Sequence, residues 1–165
     1  MIYRLSCIIA DMAEKETRGL ITGTFDLLHA GHRDLLQRAS QQVELLIVGV
    51  ESDKRVRAEK GSERPVQTQQ VRVNQIRDFL PEAKVEMLPQ DFDKEEVRQR
   101  WVRERQVGLL LTTSDDKYLG NKEKLMKSLD GKVIILEKKI PVSTTLILTE
   151  RKGKNGKSED NLCMQ

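Results

Sequence analysis

Apolar residues gather along the chain in short runs at residues 19–22, 43–50, 84–88, 107–111 and 133–136. The second run, VELLIVGV, is the clearest, nearly all apolar and rich in β-branched residues. Runs that are apolar at consecutive positions, rather than alternating ones, fit strands of a parallel sheet covered on both faces. Between them the apolar positions fall into helical spacing. Residues 31–40 bring Leu35, Leu36 and Ala39 to one face, and 68–79 bring Val71, Ile76 and Phe79. Residues 93–105 bury Val97 and Trp101, and 121–129 carry Leu125, Met126 and Leu129. Asp93 and Glu96 stand at capping-box spacing, and a last short helix is expected to open near Ser143. Strand and helix alternate throughout. The pattern predicts an α/β fold: one domain with a Rossmann-like, doubly wound parallel sheet of five strands and right-handed crossovers.

Length and composition narrow the picture without changing it. A chain of 165 residues suits one domain with one proper core. With 38% hydrophobic and 33% charged residues it reads as a water-facing globular protein rather than a disordered one. No apolar run approaches the ~20 residues of a spanning helix, so no membrane partner is expected. Residues 1–17 read as an N-terminal extension. The apolar stretch after Arg4 is shorter than the roughly 7–15 residues of a signal-peptide core, and Asp11, Glu14 and Glu16 follow it. Met12 is an alternative start. The domain proper is assigned to residues 18–150. Residues 151–165, rich in Gly, Lys, Ser and Asn, lack periodicity and are expected to be a mobile tail, dispensable for nucleotide binding apart from Arg151. Cys7 and Cys163 have no CxxC partner, which fits a reducing cytoplasm. A net charge of +3 is no nucleic-acid signature.

The chemistry gathers after the first apolar run. In a doubly wound sheet, ligands bind beyond the carboxyl ends of the strands. There the sequence reads GTFDLLHAGH over residues 23–32 and leads into a helix. A helix N-terminus offers unbonded backbone N–H groups and partial positive charge, so it suits phosphate. Imidazole N–H groups beside it add donors. Gly31 is expected to let the backbone turn tightly between the rings, and Gly23 to let a ligand approach the strand end. A lone loop histidine is usually just a polar surface residue. His29 and His32, however, are the two histidines of the whole chain, and both fall in one glycine-bounded turn.

This stretch resembles the first signature of the cytidylyltransferase-like nucleotidyltransferases, the HxGH class. Within that class the heptose-phosphate adenylyltransferase domain and glycerol-3-phosphate cytidylyltransferase look most similar. The resemblance runs over roughly residues 18–150. Residues 60–66, KGSERPV, resemble the lysine loop of the heptose-phosphate adenylyltransferases, and Arg72 falls on the arginine that follows it. Ser114 and Asp115 resemble the turn after the fourth strand. Ser143, Thr144 and Thr145 resemble the second signature, at the start of the last helix. The resemblance implies transfer of a nucleoside monophosphate from a nucleoside triphosphate to a phosphorylated small molecule, with release of pyrophosphate. It implies catalytic roles for His29, His32 and Lys60. Gly23, Thr24, Phe25, Arg72, Ser114, Asp115, Ser143, Thr144 and Thr145 would line the nucleotide site, with Asp26 supporting its base. Mg²⁺ is expected to arrive with the triphosphate, held by nucleotide oxygens and water, with no protein ligand named.

Plainer readings stand beside these. Lys60 also reads as a solvated lysine in a charged loop, Ser143 and Thr144 as ordinary N-caps, and Asp26 as a turn cap. The sequence also departs from the pattern. Residues 138–141, KKIP, replace the Arg-Thr-x-Gly lead of the cytidylyltransferases, Leu146 to Leu148 stand where a basic residue often follows, and Thr113 replaces a glycine. AMP transfer is favoured over CMP transfer by the lysine loop. A cytidylyltransferase of the glycerol-3-phosphate type, or a domain that binds nucleotide without turnover as a sensor or partner, stays open. The acceptor and the oligomeric state, homo-oligomer included, are not set by these residues.

Overall fold

Leu20 and Ile21 are neighbours in sequence and both buried, at 1% and 2% exposure. Successive side chains of a strand point to opposite faces, so each face of the sheet there must be covered. The computed structural model describes residues 18–137, 139, 140, 147 and 148, and shows that cover. Strands β1 (Arg18–Gly23), β2 (Leu45–Val50), β3 (Lys84–Met87), β4 (Leu109–Thr113) and β5 (Lys132–Leu136) form one sheet. The strand order is β3-β2-β1-β4-β5, with every pair parallel. Helices α1 (Ala30–Ser40), α2 (Asp53–Lys60), α3 (Gln69–Phe79), α4 (Glu95–Glu104) and α5 (Leu119–Ser128) connect them. Ile21, Val48 and Leu111 pack with Leu36, Val73 and Ile76 of α1 and α3. Leu20, Ile47 and Leu110 pack on the other face with Trp101, Val102, Leu125 and Met126 of α4 and α5.

The chain runs outward from β1 to β3, then returns to the centre and runs outward again through β4 and β5. The order therefore reverses between β1 and β4, and the crevice at such a switch point is where an open α/β sheet binds ligands.

The structure departs from the expected elements in several places. Helix α2 was not foreseen: its sequence DKRVRAEK has one buried residue, Val56, and no apolar stripe to read. It forms because Ser52 accepts from the Arg55 amide at 3.2 Å, Asp53 lies in the positive first turn, and Gly61 ends the helix at φ 94°. Strand β4 begins two residues later than the apolar run 107–111, at Leu109. Val107 spends its side chain on the α4/α5 core, while the ladder to β5 continues through Thr112 and Thr113. The capping box at Asp93 does not form. The chain turns at residues 89–94, with the Lys94 amide bonded to the Asp91 carbonyl, so the helix begins at Glu95 and Lys94 caps it without a side-chain bond. The last helix expected near Ser143 and the tail 151–165 lie outside the described residues, as does the extension 1–17. Among the described residues no helix is long and apolar enough to cross a membrane.

Candidate functional site

After β1 the backbone turns through Phe25 and Leu27, both left-handed at φ 52° and 54°. Non-glycine residues are uncommon there, and such strain clusters at functional turns. The turn expected at Gly31 is thus made earlier: Gly31 is an ordinary residue of α1. Phe25 is 3% exposed and folds back over the strand end. A Cβ on Gly23 would stand 3.0 Å from its ring, so a side chain there would push it out. The Phe25 ring meets His32 edge-on at 5.4 Å.

His29 caps α1. Its backbone is extended, and its Nδ1 accepts the His32 amide at 3.3 Å. With Nδ1 accepting, the neutral ring carries its proton on Nε2, which makes Nε2 a donor. The rings of His29 and His32 stack with centroids 3.7 Å apart. The first helical bond runs from the Arg33 amide to the His29 carbonyl, so the amides of Ala30 and Gly31 precede any intrahelical acceptor.

The loop after α2 is bolted to this turn. Asp26, 1% exposed, accepts from Arg64 Nε at 3.1 Å, the Val66 amide at 2.9 Å and the Gln67 amide at 3.1 Å. The Leu27 amide returns a bond to Gln67 Oε1 at 3.0 Å. Lys60 Nζ reaches Thr24 Oγ1 at 3.3 Å. Desolvation lowers the Lys60 pKa, Arg64 and Lys117 add to that, and Glu59 and Asp26 oppose it.

Arg72 requires a correction. The family position implied a residue lining the nucleotide site, yet Arg72 is 0% exposed. Its guanidinium donates to the carbonyls of Gln67, Thr24 and Glu51 and to Asp53 Oδ1 at 2.6 Å. Committed in this way, it ties the ends of β1 and β2 to the lysine loop from beneath, and lines neither cavity described next.

Two cavities open at the carboxyl end of the sheet. One, of about 190 Å³, holds Phe25, Asp26, His32 and Arg64. The other, of about 760 Å³, spreads toward α2, α4 and α5 and includes Glu51, Arg55, Asp116, Tyr118 and Lys122. Both share Thr22, Gly23, Thr24 and Lys60, so they meet over the end of β1. Of the expected turn after β4, Asp115 lines the larger cavity and accepts from Thr113 Oγ1 at 2.6 Å, while Ser114 is exposed on the turn itself. Ser143, Thr144 and Thr145 lie outside the described residues.

Beyond Gly23, Thr24, Lys60 and Asp115, the wall of the larger cavity carries no motif that sets it apart in the sequence. Burial pushes the Glu51 carboxyl up, with Arg55 beside it pulling the other way. Burial also raises Asp116, but hydrogen bonds from Lys122 at 2.6 Å and from Thr112 outweigh it and hold the carboxyl low. One signal was present: Glu51 and Asp116 each fall just past the carboxyl end of a strand, β2 and β4, where such sheets bind ligands.

Several known proteins resemble the chain in sequence or in fold. The bifunctional protein HldE of Geotalea uraniireducens is 44% identical over 69 residues, 39% of this chain and 14% of that one. The ethanolamine-phosphate cytidylyltransferase of Arabidopsis thaliana is 46% identical over 46 residues, 28% of this chain and 11% of that one. The chain therefore spans less than a sixth of the length of these relatives. Among solved structures, a lipopolysaccharide core biosynthesis protein from Thermoplasma volcanium shares the fold at TM-score 0.57 and 23% identity, over 73% of this chain and 93% of that one. A pantoate-beta-alanine ligase from Francisella tularensis, complexed with beta-gamma ATP and beta-alanine, does so at TM-score 0.56 and 15% identity, over 96% and 80%. The model of the cytidylyltransferase-like family matches residues 20–150, most of the chain and every element of the sheet, and the chain belongs to that family.

Proposed function

We propose that this chain is a nucleotidyltransferase that moves a nucleoside monophosphate, AMP in preference to CMP, from the triphosphate to a phosphorylated small molecule. The observation that carries the reading is the stacked pair His29 and His32 at the N-terminus of α1, with His32 lining the smaller cavity together with Lys60. The preference for AMP rests on the resemblance of the loop at Lys60 to that of the heptose-phosphate adenylyltransferases.

In this reading the α-phosphate lies at the head of α1, against the amides of Ala30 and Gly31 and the Nε2 proton of His29. An oxygen of the acceptor's phosphate attacks phosphorus in line, the bond to the β-phosphate oxygen breaks, and pyrophosphate leaves. The acceptor's phosphate is already ionised, so no base is required. The site supplies position and charge stabilisation, and Lys60 neutralises the departing pyrophosphate. Mg²⁺ supplies charge neutralisation along the triphosphate. Asp26 has both carboxylate oxygens turned to Arg64, Val66 and Gln67, which suits an ion held by nucleotide oxygens and water rather than by the protein.

The test is pyrophosphate release by the purified protein given ATP or CTP with a panel of phosphorylated acceptors. Release that depends on both ATP and an acceptor is the expected result. Triphosphate binding without pyrophosphate from any acceptor would instead mark a binding domain.

A further inference from the structure

The two cavities differ in charge. The larger is lined by five carboxylates and five cations. The smaller is lined by two cations, Lys60 and Arg64, with His32 beside them and Asp26 as its one carboxylate. Both Asp26 oxygens are already engaged, by Arg64 and by the amides of Val66 and Gln67. Positive charge is therefore in surplus, and desolvation already lowers the Lys60 pKa, with Glu59 opposing and Arg64 adding to it. An anion in this cavity would balance that charge. At about 190 Å³ the cavity is too small for a nucleoside. Sites that enclose a whole small-molecule ligand measure roughly 300–1,000 Å³. It suits one or two phosphoryl groups.

Arg64 supplies the geometry. Its side chain is 13% exposed. An arginine carries five N–H donors. Among the described residues the Arg64 guanidinium makes one hydrogen bond, from Nε to Asp26 Oδ2 at 3.1 Å. Nη1 and Nη2 are left to the cavity that Arg64 lines. An arginine held at Nε presents its other two nitrogens as a flat fork, the arrangement that grips two phosphate oxygens at once. The Arg64 amide also donates to the Gly61 carbonyl at 3.1 Å, which fixes it in the loop that directly follows Lys60. Arg72 is the contrast: its guanidinium is spent on three carbonyls and a carboxylate.

We infer that Arg64 is the phosphate-binding arginine of this site, and that the smaller cavity takes the diphosphate end of the nucleoside triphosphate, the part that leaves as pyrophosphate. Asp26 holds Arg64 by Nε and aims its fork into the cavity. As the bond from the α-phosphorus to the bridging oxygen breaks, its electron pair passes to the pyrophosphate, and Arg64 shares the added charge with Lys60. The inference rests on the transfer reading above and adds a ligand for its leaving group.

The experiment measures pyrophosphate, ATP and AMP by calorimetry, with Mg²⁺ present, on the parent, Arg64→Ala and Arg64→Lys. Arg64→Ala should weaken pyrophosphate and ATP by at least about tenfold, the loss of one hydrogen bond to a charged group, and AMP by less than about twofold. A loop merely loosened by the substitution would not single out the diphosphate. Arg64→Lys keeps a cation for Asp26 but no fork, so it should show the same selective loss, and it decides by the same criteria if Arg64→Ala does not fold. Unchanged pyrophosphate affinity in a folded variant, or an equal loss on AMP, would overturn the assignment. Pyrophosphate release from ATP with the acceptor panel separates the two readings. Arg64-dependent pyrophosphate binding without release from any acceptor would sink the transfer reading and keep Arg64 as a diphosphate ligand. Release by Arg64→Ala at the parent's rate would overturn the role of Arg64 and keep the transfer.

Discussion

His29 and His32 are three positions apart at a helix start, and that spacing alone brings them together. A cap residue's side chain reaches the amide three residues on, and residues three apart share a helix face. That both histidines belong to one helix start was legible in the sequence; that their rings stack, with Gly31 an ordinary helical residue, was not. Replacing His32 tests what the pair does. His32→Ala should lower turnover by roughly a hundredfold, about 3 kcal/mol of transition-state stabilisation. Triphosphate affinity should change less than turnover, and stability by at most about 1–2 kcal/mol, the range of a helix-start residue. Unchanged turnover in a folded variant would make His32 a packing partner of Phe25 only. Arg72 shows the opposite case. An arginine after a lysine loop reads as a phosphate ligand, and only the surrounding acceptors show that its donors are already committed. Arg72→Ala strips the carbonyls of Thr24, Glu51 and Gln67 of their partner at once, and should cost about 3 kcal/mol or more in urea unfolding. Full stability with lost triphosphate affinity would return Arg72 to the role of ligand.

At the scale of elements, strands were easier to read than their ends, and amphipathic helices easier than α2. Consecutive apolar residues mark a strand buried on both faces, but not where its ladder starts, which depends on the partner strand. Helix α2 carries a single buried residue, Val56, and is held by its ends instead. Its C-terminal end is the more demanding. Gly61 adopts φ 94° and ψ 167°, a region essentially confined to glycine. No atom lies within 4 Å of where a Cβ would stand, so the constraint is backbone strain and not crowding. Gly61→Ala should therefore cost about 1–3 kcal/mol. It should also loosen the lysine loop, seen as faster amide exchange at Arg64 to Gln67. A variant as stable as the parent would show that this loop relaxes into another path.

Across the whole molecule, the paired carboxylates predict acid sensitivity. Asp116, Glu59 and Glu86 are held below their ordinary range, where burial is outweighed by bonds from Lys122 and Thr112, from Lys117, and from Arg105 and Lys84. A lowered folded pKa contributes stability above the unfolded pKa and loses it as pH falls through the folded one. Stability should thus decline as pH drops below about 4, where these carboxyls titrate when unfolded. Asp116→Asn should flatten part of that decline, and an unchanged slope would show that the Lys122 pair carries no linkage. Glu51 works in the other direction: its raised pKa gives stability that is present at low pH and lost as pH rises through the folded value. Glu51→Gln is accordingly expected to hold or raise stability at neutral pH.

By itself the sequence determined the alternation of buried strands and amphipathic helices, the order of elements along the chain, and the histidine turn at the end of β1. These are local properties, carried by hydrophobic period and by residues a few positions apart. Tertiary structure decided the rest, because it depends on which distant residues meet. Asp26 is joined to a loop some 40 residues on. Arg72 is sealed beneath the site by acceptors from three segments. Glu51 of β2's end and Tyr118 of α5's cap come to line one cavity. No spacing in the chain encodes those meetings; the reversal of strand order at β1 does, by turning the carboxyl ends of separate strands toward one crevice.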